Sequence, residues 1–163
     1  MAWKAIKPKP FKPEAFQRNV IKTMTDVGAG FKHDFDATTK TWNRKVPFDT
    51  VLETNKIQAS VTVSTGDDIY RFVNDGTKPH EIRAKNARVL SFRGGYTAKT
   101  SPGVIGSGGG GASGSMMHAK SVHHPGTKAR NFDEAILRKW KTKLAKELGI
   151  TMRKFSEESG HAI

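Results

Sequence analysis

From Pro13 onward the apolar side chains Phe16, Val20, Met24, Val27, Phe31 and Phe35 recur every three or four residues. That period places them on one stripe of a helix. Pro13 suits a first helical position, and Glu14 faces the positive end of the helix dipole. The spacing therefore predicts a long helix from Pro13 to about Phe35. Gly28 and Gly30 weaken it by about 1 kcal/mol each relative to Ala, unless small residues there admit a close neighbour. Thr39 to Glu53 reads as extended, with Trp42, Arg44, Val46 and Phe48 alternating and Pro47 marking an edge strand or a bulge. Lys56 to Thr65 reads as a strand, with Ile57, Ala59, Val61 and Val63 on one face and Gln58, Ser60 and Thr62 on the other. Gly66-Asp67 closes it.

The centre of the chain is Asp67 to Arg93. Ile69, Phe72 and Val73 sit at i, i+3, i+4, which predicts a short helix over Ile69 to Asn74 with these three as its apolar stripe. Asp75-Gly76 breaks it, and Gly76 takes the positive φ that a side chain would oppose. Two extended pieces follow, His80 to Lys85 and Arg88 to Arg93, and they read as a hairpin. In the second, Leu90 and Phe92 share a face and Ser91 takes the other. Gly94 to Met117 reads as a loop with the tip SGGGGASGS, too poor in apolar surface to offset its backbone entropy. No Lys follows these glycines, so they are not a phosphate-binding loop. In an assembly such a loop reaches a neighbour or a central channel.

His118 to His123 returns as a strand and His124-Pro125-Gly126 turns it. Asn131 with Glu134 three residues on resembles a capping box. The last helix then runs on a stripe of Phe132, Ile136, Leu137, Trp140, Leu144 and Leu148 to a stop at Gly149. Thr151 to Ile163 is a polar tail. These elements predict an α+β fold, a mostly antiparallel sheet packed by a long N-terminal helix and a C-terminal helix, with a long Gly-rich loop. Residues 1–12 form an extended arm, 13–149 a single α+β domain with 94–117 as a loop insertion, and 150–163 a C-terminal tail.

Composition changes this picture in two ways. The 163 residues suit one domain, and the absence of Cys removes disulfides and thiolate chemistry. The formal net charge is +13, with a pI near 10.1, which points to polyanions or acidic protein surfaces as neighbours. From Ile82 to Phe132 there is no Asp or Glu, while Arg83, Lys85, Arg88, Arg93, Lys99, Lys120, Lys128 and Arg130 all lie there. These eight are candidate contacts to DNA or an acidic partner, set against the plain reading of a solvated basic face. In the arm, Pro8 and Pro10 favour extended backbone and four lysines favour water. Trp3, Ile6 and Phe11 gain nothing from water, so they are candidate subunit contacts, against the plain reading of a frayed terminus. No apolar run approaches the ~20 residues that span a bilayer, and the first residues are too polar for a leader.

Little in the chain invites chemistry. His80, His118, His123 and His124 fall in the basic segment, but without H-E-x-x-H spacing or nearby carboxylates. No metal and no cofactor is expected, and His80 and His124 are read as hydrogen-bonding turn backbones. The acids cluster at turn and cap positions such as Asp67-Asp68, Asp75 and Asp133-Glu134. No G-x-S-x-G elbow is present, and no enzyme is expected. A non-specific nucleic-acid-binding protein is the alternative, with Tyr70, Phe92 and Tyr96 near the cations, although no helix-turn-helix, zinc finger or RRM signature appears.

An ordered set of short motifs carries a resemblance. They are Tyr70, Phe72 and Asn74 ahead of Gly76-Thr77, then Pro79-His80, Lys85-Asn86-Ala87 before an apolar strand, His124-Pro125-Gly126-Thr127, and a helix from Phe132. Together they resemble the neck and tail-completion family of long-tailed bacteriophages. The N-terminal part departs from that family's commonest form, which places a Thr-Gly turn after the first helix. The resemblance implies a structural virion protein at the head-tail junction, assembled in the host cytoplasm and acting as a homo-oligomeric ring subunit, six being one option for the ring. It implies a head connector and a tail tube or tail terminator protein as partners, with genomic DNA passing through and no membrane. A tail-terminator role is the alternative within the same reading.

Overall fold

The computed structural model describes residue 10 and residues 12–55 and 58–159. Trp3, Ile6 and Phe11 of the arm lie outside the described residues, as do Lys56 and Ile57 of the expected strand and the last four residues. The elements in chain order are α1 (Pro13–Thr39), β1 (Asp49–Thr54), β2 (Ala59–Ser64), α2 (Asp68–Asp75), β3 (His80–Arg83), β4 (Leu90–Arg93), β5 (Tyr96–Thr97), β6 (Gly111–Ala112), β7 (Met116–Ala119), β8 (Ser121–His124) and α3 (Phe132–Ser159). The class is α+β, with the strands of the described residues divided among four two-stranded sheets. The chain groups into two compact units. One comprises Met1–Phe31, Thr50–Val63 and Arg138–Ile163, and the other Lys32–Asp49 and Ser64–Leu137.

In the first unit the expected stripe of α1 packs as the spacing requires. Met24 and Val27 are buried, Phe16 meets Phe155 edge-on at 5.3 Å, and Phe31 stacks on Trp140 at 5.1 Å. A Cβ on Gly30 would overlap the Trp140 ring, so this glycine is the small residue that admits a close neighbour. α3 does not stop at Gly149 but runs to Ser159. Phe155 is buried there, and the Thr151 hydroxyl lies 2.7 Å from that of Thr23. These contacts outweigh the ~1 kcal/mol that a glycine costs a helix interior, and the expected polar tail is mostly helix.

In the second unit α1 continues to Thr39, and the strand expected from Thr39 begins only at Asp49. Val46 and Phe48 are nevertheless buried, so the alternation marked packing without marking a strand. Phe48 meets Tyr70 edge-on at 5.0 Å, and Phe35, Trp42 and Phe132 ring the same tyrosine at 6.4, 6.1 and 5.8 Å. α2 therefore buries Tyr70 and Asn74. The expected stripe is the wrong face, since Ile69 and Phe72 are each 48% exposed.

The expected β3–β4 hairpin does not form. β3 pairs with β8 in the register His80↔His124 and Ile82↔Val122. β4 pairs with β7 through Leu90↔Ala119 and Phe92↔Met117, and β5 with β6 through Tyr96↔Ala112. All three pairs are antiparallel and nested, so His80 to His124 is one long bent hairpin. The bend falls where residues 84–89 bulge out opposite Lys120. The strand expected over His118 to His123 is accordingly two strands, and the Gly-rich loop contains β5 and β6. Its tip folds back on its own unit: Thr41 N donates to Ser107 Oγ at 3.1 Å, and Thr41 Oγ1 to Gly108 O at 2.8 Å.

α3 is capped from a distance. Phe132 N and Asp133 N donate to Asn74 Oδ1 at 2.8 and 3.4 Å, while Arg130 N and Asn131 N donate to Asn74 O at 2.9 and 3.0 Å. Asn131, the expected cap, sits at φ 50° and turns the chain into the helix. Asn74→Ala should lower unfolding stability by about 1–2 kcal/mol, whereas Asn131→Gly should be neutral or mildly stabilising because glycine tolerates positive φ. Urea unfolding of the two variants checks this; equal losses would return the cap to Asn131.

Candidate docking site

Several of the motif residues converge on one node. Gly76 ends α2 at φ 78°, where a Cβ would lie 2.6 Å from Thr127 O and 2.8 Å from Ala129 N. Thr77 and Thr127 then bridge through both backbones: Thr77 N donates to Thr127 O at 2.9 Å, and Thr127 N to Thr77 O at 3.1 Å. One step on, the His80 and His124 rings face each other at 5.0 Å. His80 Nδ1 lies 2.9 Å from Lys78 O, and Gly126 N donates to His124 Nδ1 at 3.0 Å. Both histidines thus hydrogen-bond turn backbones, as the sequence suggested. Pro125 precedes the close approach of Gly126 to Thr77 O. Phe72, Lys85 and Asn86 stay outside the node and exposed, the last two in the bulge between β3 and β4.

Tyr70 lies beneath the node at 5% exposure. Among the described residues its hydroxyl has no hydrogen-bond partner; the neighbouring Thr38 hydroxyl donates instead to Phe35 O at 2.7 Å. Burial pushes the Tyr70 phenol up to about 12, with Asp133 adding to the rise and Thr38 partly opposing it.

Above the node lies a groove of about 710 Å³. Ile69 and Val73 of α2, Ile82 and Val122 of the β3–β8 ribbon, and Leu90 and Phe92 of β4 line it. These are the apolar faces that the two ribbons and α2 leave uncovered. Its polar lining includes Arg44, Lys99, His124 and Arg130 and no carboxylate. Arg44 is neutralised by Asp67, with which it pairs. Lys99 and Arg130 are held by neutral acceptors. Lys99 Nζ donates to Thr41 O at 2.7 Å and to Asn43 Oδ1 at 2.9 Å, and Arg130 Nε to Thr100 Oγ1 at 3.2 Å. The node's positive φ and bent hairpin are what present these groups to one cavity.

The chain matches no known protein family, no curated protein and no solved structure.

Of the eight cations singled out in the sequence, only Lys99 and Arg130 meet at the groove. Arg83 is taken up by Glu81 at 2.8 Å, and with the Ser121 hydroxyl it holds the Glu81 carboxyl below its usual range. Lys85, Arg88, Arg93, Lys120 and Lys128 are exposed. Among the described residues no three His, Cys, Asp or Glu side chains are grouped to hold a metal ion, and no helix is long and apolar enough to cross a membrane. The groove itself was missed in the sequence. Its only signal was the alternation in β4 and the apolar stripe of α2, which reads the same for a core as for a docking face.

Tyr70→Phe removes a buried, unpaired hydroxyl, so it should raise stability by up to about 1 kcal/mol. The pH dependence has a definite sign. A phenol whose folded pKa lies above its unfolded value favours the fold below pH ~10, and that contribution is lost as pH rises toward ~12. The variant's unfolding free energy should therefore fall less steeply across that window, measured by denaturant titration at each pH.

Proposed function

We propose that the chain is a structural part of a tailed bacteriophage, a neck or tail-completion protein at the head–tail junction, acting as a subunit of a closed ring. The observation that carries this reading is the node. The motifs Gly76-Thr77, Pro79-His80 and His124 to Thr127 bear the resemblance and are distant in sequence, yet they pair residue by residue. Asn74, from the first motif group, caps the helix that closes the last. A motif set that interlocks in this way is an integral part of a fold, which raises the weight of an ordered match over one of scattered short words. The uncovered apolar groove supports a docking role, because monomers rarely leave such a face to water. Its partners in this reading are a head connector and a tail tube or tail terminator protein, with subunit contacts fixing the order of assembly.

The positive charge supports a second reading, a non-specific nucleic-acid-binding protein, and also fits a channel that DNA traverses. The experiment is deletion of the gene from a phage genome that carries it, followed by electron microscopy of the lysate. Separate filled heads and tails of normal length, rejoined by adding the purified protein, are the expected result. Tails of unregulated length would instead assign the terminator role, and normal particles would overturn the reading. In parallel, duplex DNA binding by the isolated protein should weaken steeply up to ~200 mM salt, as phosphate-only contacts do; tight binding that survives there favours the second reading.

A further inference from the structure

We propose that the groove over α2 and the bent hairpin is one half of a head-to-tail contact, and that its occupant is the outer face of β1 of a second copy of this chain. This deepens the ring reading and rests on it for the closure of the assembly. The contact itself is open to test without a virion.

The groove selects its occupant by charge and shape. Its floor is apolar, with Ile82 among the side chains that reach it, and its lining carries no carboxylate. Lys99 and Arg130 are anchored there but not neutralised, since among the described residues each meets only neutral acceptors. An ammonium has three donors and a guanidinium five. One proton on Lys99 and the terminal nitrogens of Arg130 therefore remain to receive an acid. What fits is an apolar anchor flanked by carboxylates.

The outer face of β1 is such a surface. β1 reads DTVLET and, among the described residues, belongs to a two-stranded sheet with β2. Successive side chains alternate between faces. Thr50 Cγ2 lies against Gly28 of α1, and Leu52 is the strand's one half-buried residue, so the even positions face inward. Val51 and Glu53, with Asp49 at the strand's start, take the other face. Val51 is 49% exposed, and Asp49 and Glu53 are exposed and have no ion pair among the described residues. That is a carboxylate–valine–carboxylate row, the complement of an acid-free apolar groove with two free cations. The N-terminal arm is the wrong occupant despite Trp3, Ile6 and Phe11, because Lys4, Lys7, Lys9 and Lys12 would meet cations of their own sign. Groove and row are different surfaces, so the contact is heterologous and propagates until it closes.

Two surface variants of the full chain separate the halves. Val51→Lys spoils the row and leaves the groove intact. Ile82→Glu, at a residue 38% exposed, spoils the groove and leaves the row intact. Wild type should self-associate in sedimentation velocity over a concentration series. Each variant alone, with an unchanged circular dichroism spectrum and Tm, should lose affinity by about tenfold or more, given the cost of like charges brought together. An equimolar mixture of the two should associate again, because one interface is intact and the other sets the two introduced charges, of opposite sign, against each other. A wild type that stays monomeric, variants that associate like wild type, or a mixture that stays monomeric overturns the proposal. If wild type instead stays monomeric but binds oligothymidylate, and Ile82→Glu alone abolishes that, the groove takes nucleic acid. If both variants restore head–tail joining to a deletion lysate as well as wild type does, the contact is wrong and the neck reading stands. If no virion defect exists but the mixture associates, the reverse holds.

Discussion

The Asn74 side chain is the constraint on which the rest of the second unit depends. It is buried, and a buried carboxamide is tolerable only when its groups are satisfied. Its Oδ1 takes the first amides of α3, and its backbone carbonyl takes the two amides before them. The end of α2 is thereby locked to the start of α3. The other end of α2 is fixed in the same way: Asp67 Oδ1 accepts from Tyr70 N at 2.9 Å, while its other oxygen pairs with Arg44. Between these two polar anchors the rotation of α2 has no freedom. Tyr70 must point into the ring cluster, and Ile69 must point away from it. The groove is a consequence of that rotation.

This explains which features were legible in the sequence. α1 and the first half of α3 were, because long stripes at helical spacing average over many positions. The face of α2 was not. Amphipathicity assumes that the apolar side is the buried side, and in eight residues two polar anchors outweigh it. The apolar residues it offered, Ile69 and Val73, line the groove instead. The hairpin was misread for a related reason. β3 and β4 are neighbours in sequence, but a bulge separates them, and their partners lie beyond a Gly-rich stretch that local pattern reads as formless. Only the node shows why the return strand comes back in that register. Gly76 and Gly126 allow the two backbones to approach, and Thr77 and Thr127 bridge them. Gly149 was read as a stop because nothing local reveals Phe16 waiting for Phe155.

The site was legible in part. His80 and His124 hydrogen-bond the turn backbones beside them, as their flanking Pro and Gly suggest. The eight cations formed a single class in sequence, and the fold sorts them into one engaged with Glu81, two anchored at the groove and five in solvent. The distinction matters because exposed cations contribute diffuse potential, while anchored ones contribute direction.

A net charge of +13 sets the terms on which copies of this chain can meet. At ~0.15 M salt the Debye length is about 8 Å, so distant charges are screened and only those near a contact count. Two acid-free surfaces brought together would repel each other at that range and leave Lys99 and Arg130 facing their own kind. A contact that joins copies must therefore recruit some of the few carboxylates, and it must do so where apolar area is also available. Apolar burial supplies the favourable free energy without direction. The charges supply the register, since a slip of one residue along β1 would turn Val51 and Glu53 away and present Thr50 and Leu52 instead. A basic chain with a bare apolar groove would otherwise associate in many ways or not at all; an apolar strand face flanked by acids, of the kind β1 presents, would give such a contact one register.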